Sequence, residues 1–488
     1  MRTNHLDLTK HVVGLILAVL LVVGYAYSPI SATVDGLLLD AQFKVLRDMR
    51  SIEVTDNIVI VGVDEQTYEE FDRPSGLWHS YLGDMLLGVE AAQPKLVIMD
   101  LVLEKLYRNL IPNHYASLHR SLINFRKSQT PIVMAIGLKN TVATVESEVG
   151  RVSPGLQEVF PYPAMQSILR GDQYYGLALV QSDPDGVLRR QSMQYENCTG
   201  CSPSMLFRIY SQLGESHSPG LINFALGKPF TYIPLHQVVQ WQQAGDAEKL
   251  TEVFANKAVL VGSVTRFEDR HRAPVALTDW EQGSRQTPGV LFMAQAIRSI
   301  DAGGLIQPAP RWVMVLLFLC GLMLWFSARQ LKRGIVSIGV FVSGVLIAST
   351  WALASLLELH TGLILMTAFA ATTTRFSYEA WASFLERKRL RATFGGYVSP
   401  NVMKEILDGR LRPDMQGSRL NVCVMFADVR NFTTRSESSS PEEIIQLLNL
   451  YFDEMTAAID EFGGTVDKFI GDGLMAFFGA PNTSINPS

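Results

Sequence analysis

The sequence predicts a multi-domain membrane protein: an outer α/β domain, four transmembrane helices, and the first half of a ferredoxin-like α+β unit. Three observations predict it. Uncharged apolar runs occur once near the start and three times between residues 312 and 374. Between them lies a long stretch in which strand-like and helix-like segments alternate. After them come a strand, a helix and a hairpin, with one Asp ending the strand and another in the hairpin turn.

Composition agrees. A chain of 488 residues is too long for one ordinary core. Charged residues make up 18% and hydrophobic ones 48%, a low charge content that points to membrane segments. The net charge of -5 and the absence of a long basic run argue against nucleic acid as a partner. Four cysteines are too few for a disulfide scaffold.

The first run, residues 12–30, has no charged residue between Lys10 and Asp35 and reads as an uncleaved anchor. A cleaved signal peptide is the rival reading, kept open by the Ser and Ala residues that follow. Later runs cover 312–328, 334–357 and 359–374; the last is short and rich in Thr. Their rival reading is buried core helices. Positive charge orients them. Arg2 and Lys10, "ARQLKRG" and "RFSYEAWASFLERKRLR" all fall on one side of four spans, while the "ELH" linker has no Lys or Arg. That side is cytoplasmic. Residues 1–11 are then inside, 31–310 outside, the three later helices lie within 311–374, and everything from 375 is inside. No span carries an internal charge, which argues against a transporter.

In the outer domain, "NIVIVGVDE" and "KLVIMDLVLE" read as buried strands separated by the helical "YLGDMLLGVEAAQP". "TPIVMAIGL", "YYGLALVQS" and "KAVLVGSV" continue the pattern, so a mixed or parallel sheet is expected. Asp64 and Asp100 end the first two strands, where open α/β sheets bind ligands; a helix cap or turn role is the alternative. "DPDGVLRR" is a turn signal whose spacing fits no EF-hand. Cys198 and Cys201 suit a small-loop disulfide in an oxidising compartment; zinc would need four ligands, and no thioredoxin-like context surrounds them.

"NIVIVGVDEQTYEEF…GLW…KLVIMDLV", then "DPDGVLRR", then "KAVLVGSV…TPGVLFMAQAIRSI" resembles the CHASE type 2 extracellular sensor domain. The resemblance covers most of residues 31–305. It implies an anchoring helix before the domain, three transmembrane helices after it, and reception of an extracytoplasmic signal whose chemistry it does not specify.

Residues 375–418 form a cytoplasmic linker. Helical periodicity leaves the membrane through Phe376, Trp381 and Phe384 and breaks at Gly395-Gly396; Ser399-Pro400 starts a short helix. Such a helix can transmit motion, or be a plain solvated connector. From 419 to 488, "RLNVCVMFADVRNFTT" has apolar residues at both parities, which predicts a central strand ending at Asp428. A helix from Pro441 to Phe462 is capped by Ser440 and ended by Gly463-Gly464. Its stripe of Ile444, Leu447, Leu448, Tyr451, Met455 and Ile459 reads as core packing. A Gly471-Asp472-Gly473 hairpin follows. In a βαββαβ unit the end of the first strand meets the start of the third, so Asp428 and Asp472 should face each other. Two close carboxylates call for a cation, and Mg²⁺ uses one or two carboxylates with phosphate oxygens. Backbone N–H groups after Asp428, at Phe432 and Thr433, suit phosphate. Val466, Lys468 and Ile470 share a strand face by alternation; a surface Lys is the alternative role for Lys468.

"FADVRNFT", "DKFIGDGLMAFFG" and the preceding "FGGYVSPNVMKEIL" resemble the class III nucleotidyl cyclase catalytic domain. The resemblance implies that Asp428 and Asp472 bind two Mg²⁺ or Mn²⁺ ions, and that ATP becomes cyclic AMP and pyrophosphate by attack of the ribose 3′-hydroxyl on the α-phosphorus. It implies that Lys468 selects adenine, where guanine-selective members carry Glu, across a head-to-tail homodimer. It covers about 70 residues of a domain usually more than twice as long; the remaining site residues would lie beyond Ser488. The expectation is therefore a sensor adenylate cyclase of the inner or plasma membrane whose chain, as it stands, does not complete an active site. The alternatives are a sensor or dimerisation partner without turnover, and a guanylate cyclase.

Overall fold

The computed structural model describes residues 2–49, 54, 57–105, 113–141, 155–178, 181–194, 201–281, 283–327, 331–394 and 420–480. The helix expected at Ser399 and the cysteine at 198 lie outside these residues. The chain divides into two compact units, Met1–Thr374 and Arg375–Ser488.

In the first unit, helices α1 (Arg2–Ala26) and α2 (Pro29–Met49) precede a seven-stranded sheet. Its strands are β1 (Ile58–Val63), β2 (Leu96–Asp100), β3 (Ile132–Thr141), β4 (Gly155–Val159), β5 (Tyr175–Leu177), β6 (Ile233–Pro234) and β7 (Ala258–Ser263). The order is β4-β3-β2-β7-β1-β6, with β5 also on β3. All pairings are parallel except β3 with β4. Alternation explains why these segments are strands. Leu96, Ile98, Ala258 and Leu260 bury in one apolar cluster; Val97, Met99, Val259 and Val261 bury in another. Apolar residues at both parities require a sheet covered on both faces. The second cluster includes α4 (His79–Ala91), α5 (Ala116–Ser128) and α7 (Leu235–Ala244), and the short α3 (Glu65–Glu70) follows β1. The first includes α6 (Met205–Gln212) and α8 (Gly289–Asp301).

The apolar runs form α1, α9 (Arg311–Ser327), α10 (Leu331–Ala354) and the long α11 (Thr361–Phe394). The run expected at 12–30 is interrupted: α1 stops at Ala26, and His11–Ala26 meets Pro29–Met49 at a bend of 79°. Among the described residues one helix, Arg333–Ala354, has the length and composition to cross a membrane, or two if the bent pair is one span. Four spans are not established by that measure. The reasons are physical: α9 has 17 residues, about 25 Å of helix against a hydrocarbon core of about 30 Å. The start of α11 is diluted by Thr and soon reaches Arg375. These helices do pack together. Ala18 and Val22 bury against Ala370, flanked by Phe318 and Leu322, and Trp325 Nε1 donates to His11 Nδ1 at 3.2 Å.

The segment read only as a turn, "DPDGVLRR", does more. Gly186 takes the left-handed φ of 77° that the turn requires. The turn's carboxylates are engaged: Arg189, 1% exposed, pairs with Asp183 at 2.9 Å, Asp185 at 2.7 Å and Asp40 of α2 at 2.8 Å. Arg285 also pairs with Asp40. Arg190 forks onto Glu358 at 2.5 and 2.9 Å, in the link between α10 and α11. That link also pairs with the strand after α8, Gln307–Pro308 beside Leu357–Glu358.

In the second unit, β8 (Cys423–Ala427), α12 (Phe432–Ser438), α13 (Pro441–Glu461), β9 (Gly464–Ile470) and β10 (Gly473–Phe478) follow in order. The sheet order is β8-β10-β9, all antiparallel. A capping box between Ser440 and Glu443 opens α13, and Gly463 at φ 74° ends it. One face of the sheet packs on the helix: Leu474, Ala476 and Ile459 are buried, with Met425, Met455 and Val466 against them.

Two expectations change here. Cys423–Ala427 is not central among the described residues; it is an edge strand paired only with β10. Helix α13 covers one face, so Val424 and Phe426 on the other stay 45% and 69% exposed. Nor do Val466 and Lys468 share a face. The register slips between them, Val466 opposite Ala476 and Lys468 opposite Met475. This bulge at Asp467 turns Val466 towards the helix, as Phe469 also is, its ring 4.5 Å from Phe452. Lys468 is left with the exposed Ile470 on the open face.

Candidate active site

Of the two carboxylates expected at strand ends in the first unit, Asp64 is a cap. Its Oδ1 accepts from the Thr67 N–H at 2.8 Å and the Thr67 hydroxyl at 2.6 Å, opening α3, and Tyr232 donates to Oδ2 at 3.2 Å. Asp100 differs. Burial, and then the charge of Asp269, pushes its pKa up to about 8. A carboxyl that holds its proton above its ordinary 3.8 makes the folded state bind more protons than the unfolded one. Its contribution to stability is present below pH 4 and is lost as pH rises towards about 8. Asp100→Asn should therefore flatten the pH dependence of thermal unfolding over that window and stabilise the chain most at its alkaline end. An unaltered slope would remove Asp100 as its source. The expected cysteine pair is half visible: Cys201 is disulfide-bonded, whereas Cys320 and Cys423 are free thiols.

In the second unit the antiparallel register runs from Cys423 opposite Phe478 to Ala427 opposite Leu474. Continuing it by one step sets Asp428 beside Gly473, the neighbour of Asp472. Gly473 is required there by close approach: a Cβ on it would lie 2.9 Å from the Ala427 carbonyl and 3.1 Å from Asp428 Oδ1. Gly471 supplies the turn with φ 66°. Asp428 is exposed and Asp472 half-buried. Among the described residues neither carboxylate has an ion-pair partner, and no three His, Cys, Asp or Glu side chains converge as a metal-ligand set. Two carboxylates without a counter-charge still suit a hard cation that completes its shell with water and phosphate oxygens.

The other candidates are placed around this turn. Asn431, left-handed at φ 59°, leads into α12, whose first residues are Phe432 and Thr433. The Phe432 N–H is already weakly engaged, donating to the Val429 carbonyl at 3.4 Å. Lys468 is exposed, its Nζ 3.1 Å from the Asp467 carboxylate. Sequence reasoning missed that bulged Asp467, because a single extra residue leaves no mark on an alternating pattern.

A family model for the CHASE2 domain matches residues 15–327, and one for the adenylate and guanylate cyclase catalytic domain matches residues 415–487. An adenylate cyclase of Anabaena cylindrica is 34% identical over 119 residues, 24% of this chain and 24% of that protein. An uncharacterized protein of Mycobacterium tuberculosis is 35% identical over 102 residues, 21% of this chain and 18% of its own length. A second is 32% identical over 126 residues, 26% and 23% respectively. The chain spans about a quarter or less of the length of these curated relatives. With one match covering more than half of its length and the other covering both Asp428 and Asp472, the chain belongs to the CHASE2-domain family and carries an adenylate and guanylate cyclase catalytic domain.

Proposed function

We propose that this is a membrane sensor adenylate cyclase, in which the CHASE2 unit receives an extracytoplasmic signal and the cyclase unit turns ATP into cyclic AMP and pyrophosphate. The observation that carries the reading is the β8–β10 register, which brings Asp428 against Gly473 and so beside Asp472. In this reading the two carboxylates hold divalent ions, Mg²⁺ or Mn²⁺. When bound, such ions neutralise the triphosphate and acidify the ribose hydroxyl. The rest falls to the chain itself. The turn after Asp428 offers the N–H of Thr433 to a phosphate oxygen, and Lys468 reads the adenine edge. The open sheet face, with Val424, Phe426 and Ile470 exposed beside Lys468, supports a partner surface there, which a head-to-tail homodimer would cover. The exposed apolar side chains of α1, α9 and α10, among them Leu20, Leu316 and Val340, support contact with lipid. The basic residues at the ends of the apolar runs support a multi-pass inner or plasma membrane protein with the cyclase unit inside.

Cyclic AMP and cyclic GMP formation, measured with Mg²⁺ and with Mn²⁺ on membranes carrying the protein with a complete cyclase domain, test the proposal. ATP should be the preferred substrate. Lys468→Glu should lower that preference by about tenfold or more, the weight of one charged hydrogen bond to the base. An identical ATP-to-GTP ratio in the variant would take Lys468 out of base recognition.

A further inference from the structure

A cavity of about 440 Å³ lies in the first unit, lined by Val63 at the end of β1, by Leu101 to Lys105 after β2, and by Ser263 at the end of β7. These strands are adjacent and parallel, in the order β2-β7-β1. The cavity therefore sits over their carboxyl ends, where open α/β sheets place ligands. Its size falls in the range of small-molecule sites.

We propose that this cavity binds a small organic ammonium ion. The first support is His79, which lines the cavity and is 2% exposed. Among the described residues neither ring nitrogen makes a well-formed hydrogen bond, the Lys105 main chain contributing only a weak interaction. A buried polar group left so in a folded protein needs a reason, and a ligand supplies one. Burial and then His114 hold its pKa down to about 4, so at neutral pH the imidazole is uncharged and one ring nitrogen is an acceptor. The second support is an aromatic wall: Tyr68 and Trp78 stand with ring centroids 4.7 Å apart. The third is charge. Glu268 lines the cavity, accepting from Tyr68 at 3.5 Å and Ser263 at 3.4 Å, and with Glu104 it outnumbers Lys105. An aromatic face, a carboxylate and a neutral imidazole acceptor together suit an N–H donor that carries positive charge. A carboxylate ligand would meet two carboxylates for one ammonium.

The test needs no cyclase activity, so its failure is separate from that of the proposed function. The full chain in detergent micelles is titrated calorimetrically with tyramine, with neutral 4-ethylphenol, and with 3-(4-hydroxyphenyl)propionate. These share a ring and differ in the charge at the chain end. Tyramine should bind at least about tenfold more tightly than either of the others. Glu268→Gln, at an exposed position that folding tolerates, should weaken tyramine by about tenfold and leave the unfolding midpoint unchanged. Equal binding of the three, tighter binding of the acid, no heat with tyramine up to about 10 mM, or an unaltered affinity in Glu268→Gln would each overturn the proposal.

Discussion

In the protein with a complete cyclase domain, Asp428→Ala and Asp472→Ala are each expected to cut cyclic AMP formation by at least about a hundredfold, the scale on which removing one preorganised charge or donor at a phosphoryl site acts. The two should act alike because the register sets them side by side at one end of the sheet. Asp428 follows β8, Asp472 immediately precedes β10, and Gly473 lets their backbones approach. Neither change should disturb the fold. Asp428 is exposed, and neither carboxylate has a hydrogen-bond or ion-pair role among the described residues. Protein level and unfolding midpoint should match the parent, and the loss should fall on turnover. Mixing separates a shared site from a private one. In a head-to-tail dimer, an Asp428→Ala chain co-expressed with a Lys468→Glu chain leaves one site with an intact Asp pair facing an intact Lys. The mixture should then make cyclic AMP with the parent's ATP-to-GTP preference, which neither variant shows alone. Retention of more than about a tenth of parent activity by either Asp variant would sink the metal assignment.

What was legible in the sequence followed from periodicity. Residues 57–65 and 95–104 announce buried strands because both parities are apolar, and the sheet buries both faces. The cap at Ser440 and the stop at Gly463 were readable because each is a local rule. The pairing of β8 with β10 followed from topology alone. Four features resisted. The bulge at Asp467 turned Lys468 away from Val466, since alternation assumes one residue per pleat. That β8 is an edge strand among the described residues depends on which strands lie beside it, not on its own residues. The cavity around His79 joins residues from three strand ends and two helices, far apart in sequence; a lone histidine before "SYLGDMLLGVEA" carried no signal. Arg189 belongs with these. "DPDGVLRR" spelled a turn correctly, yet the third carboxylate, Asp40, is 149 positions away.

Arg189→Ala is expected to destabilise the first unit by about 3–5 kcal/mol, the cost of breaking a buried ion pair on one side. The magnitude follows from what remains. Arg189 is 1% exposed, and its loss strands Asp40, Asp183 and Asp185, whose side chains are 10%, 21% and 13% exposed. Arg285 can still answer Asp40, but the turn carboxylates lose the fork that holds them. Arg189→Lys keeps the charge and loses the planar fork, so it should recover only part of the loss. Gly36→Ala attacks the same cluster from α2, because a Cβ there would lie 2.7 Å from Asp185 Oδ2 and 2.9 Å from an Arg189 terminal nitrogen. The comparison that gives these numbers meaning is Arg190→Ala. It strands one buried carboxylate, Glu358, where Arg189→Ala strands three, and Arg190 itself is 40% exposed, so a smaller loss than that of Arg189→Ala is expected. Denaturant unfolding of the full chain in detergent, followed by circular dichroism, should rank Arg189→Ala as most damaging, Arg189→Lys between, and Arg190→Ala least. If Arg189→Ala unfolds with Arg190→Ala, the extra carboxylates and burial add nothing to this network, and α2 is held to the sheet domain by the packing of Leu39 and Phe43 instead.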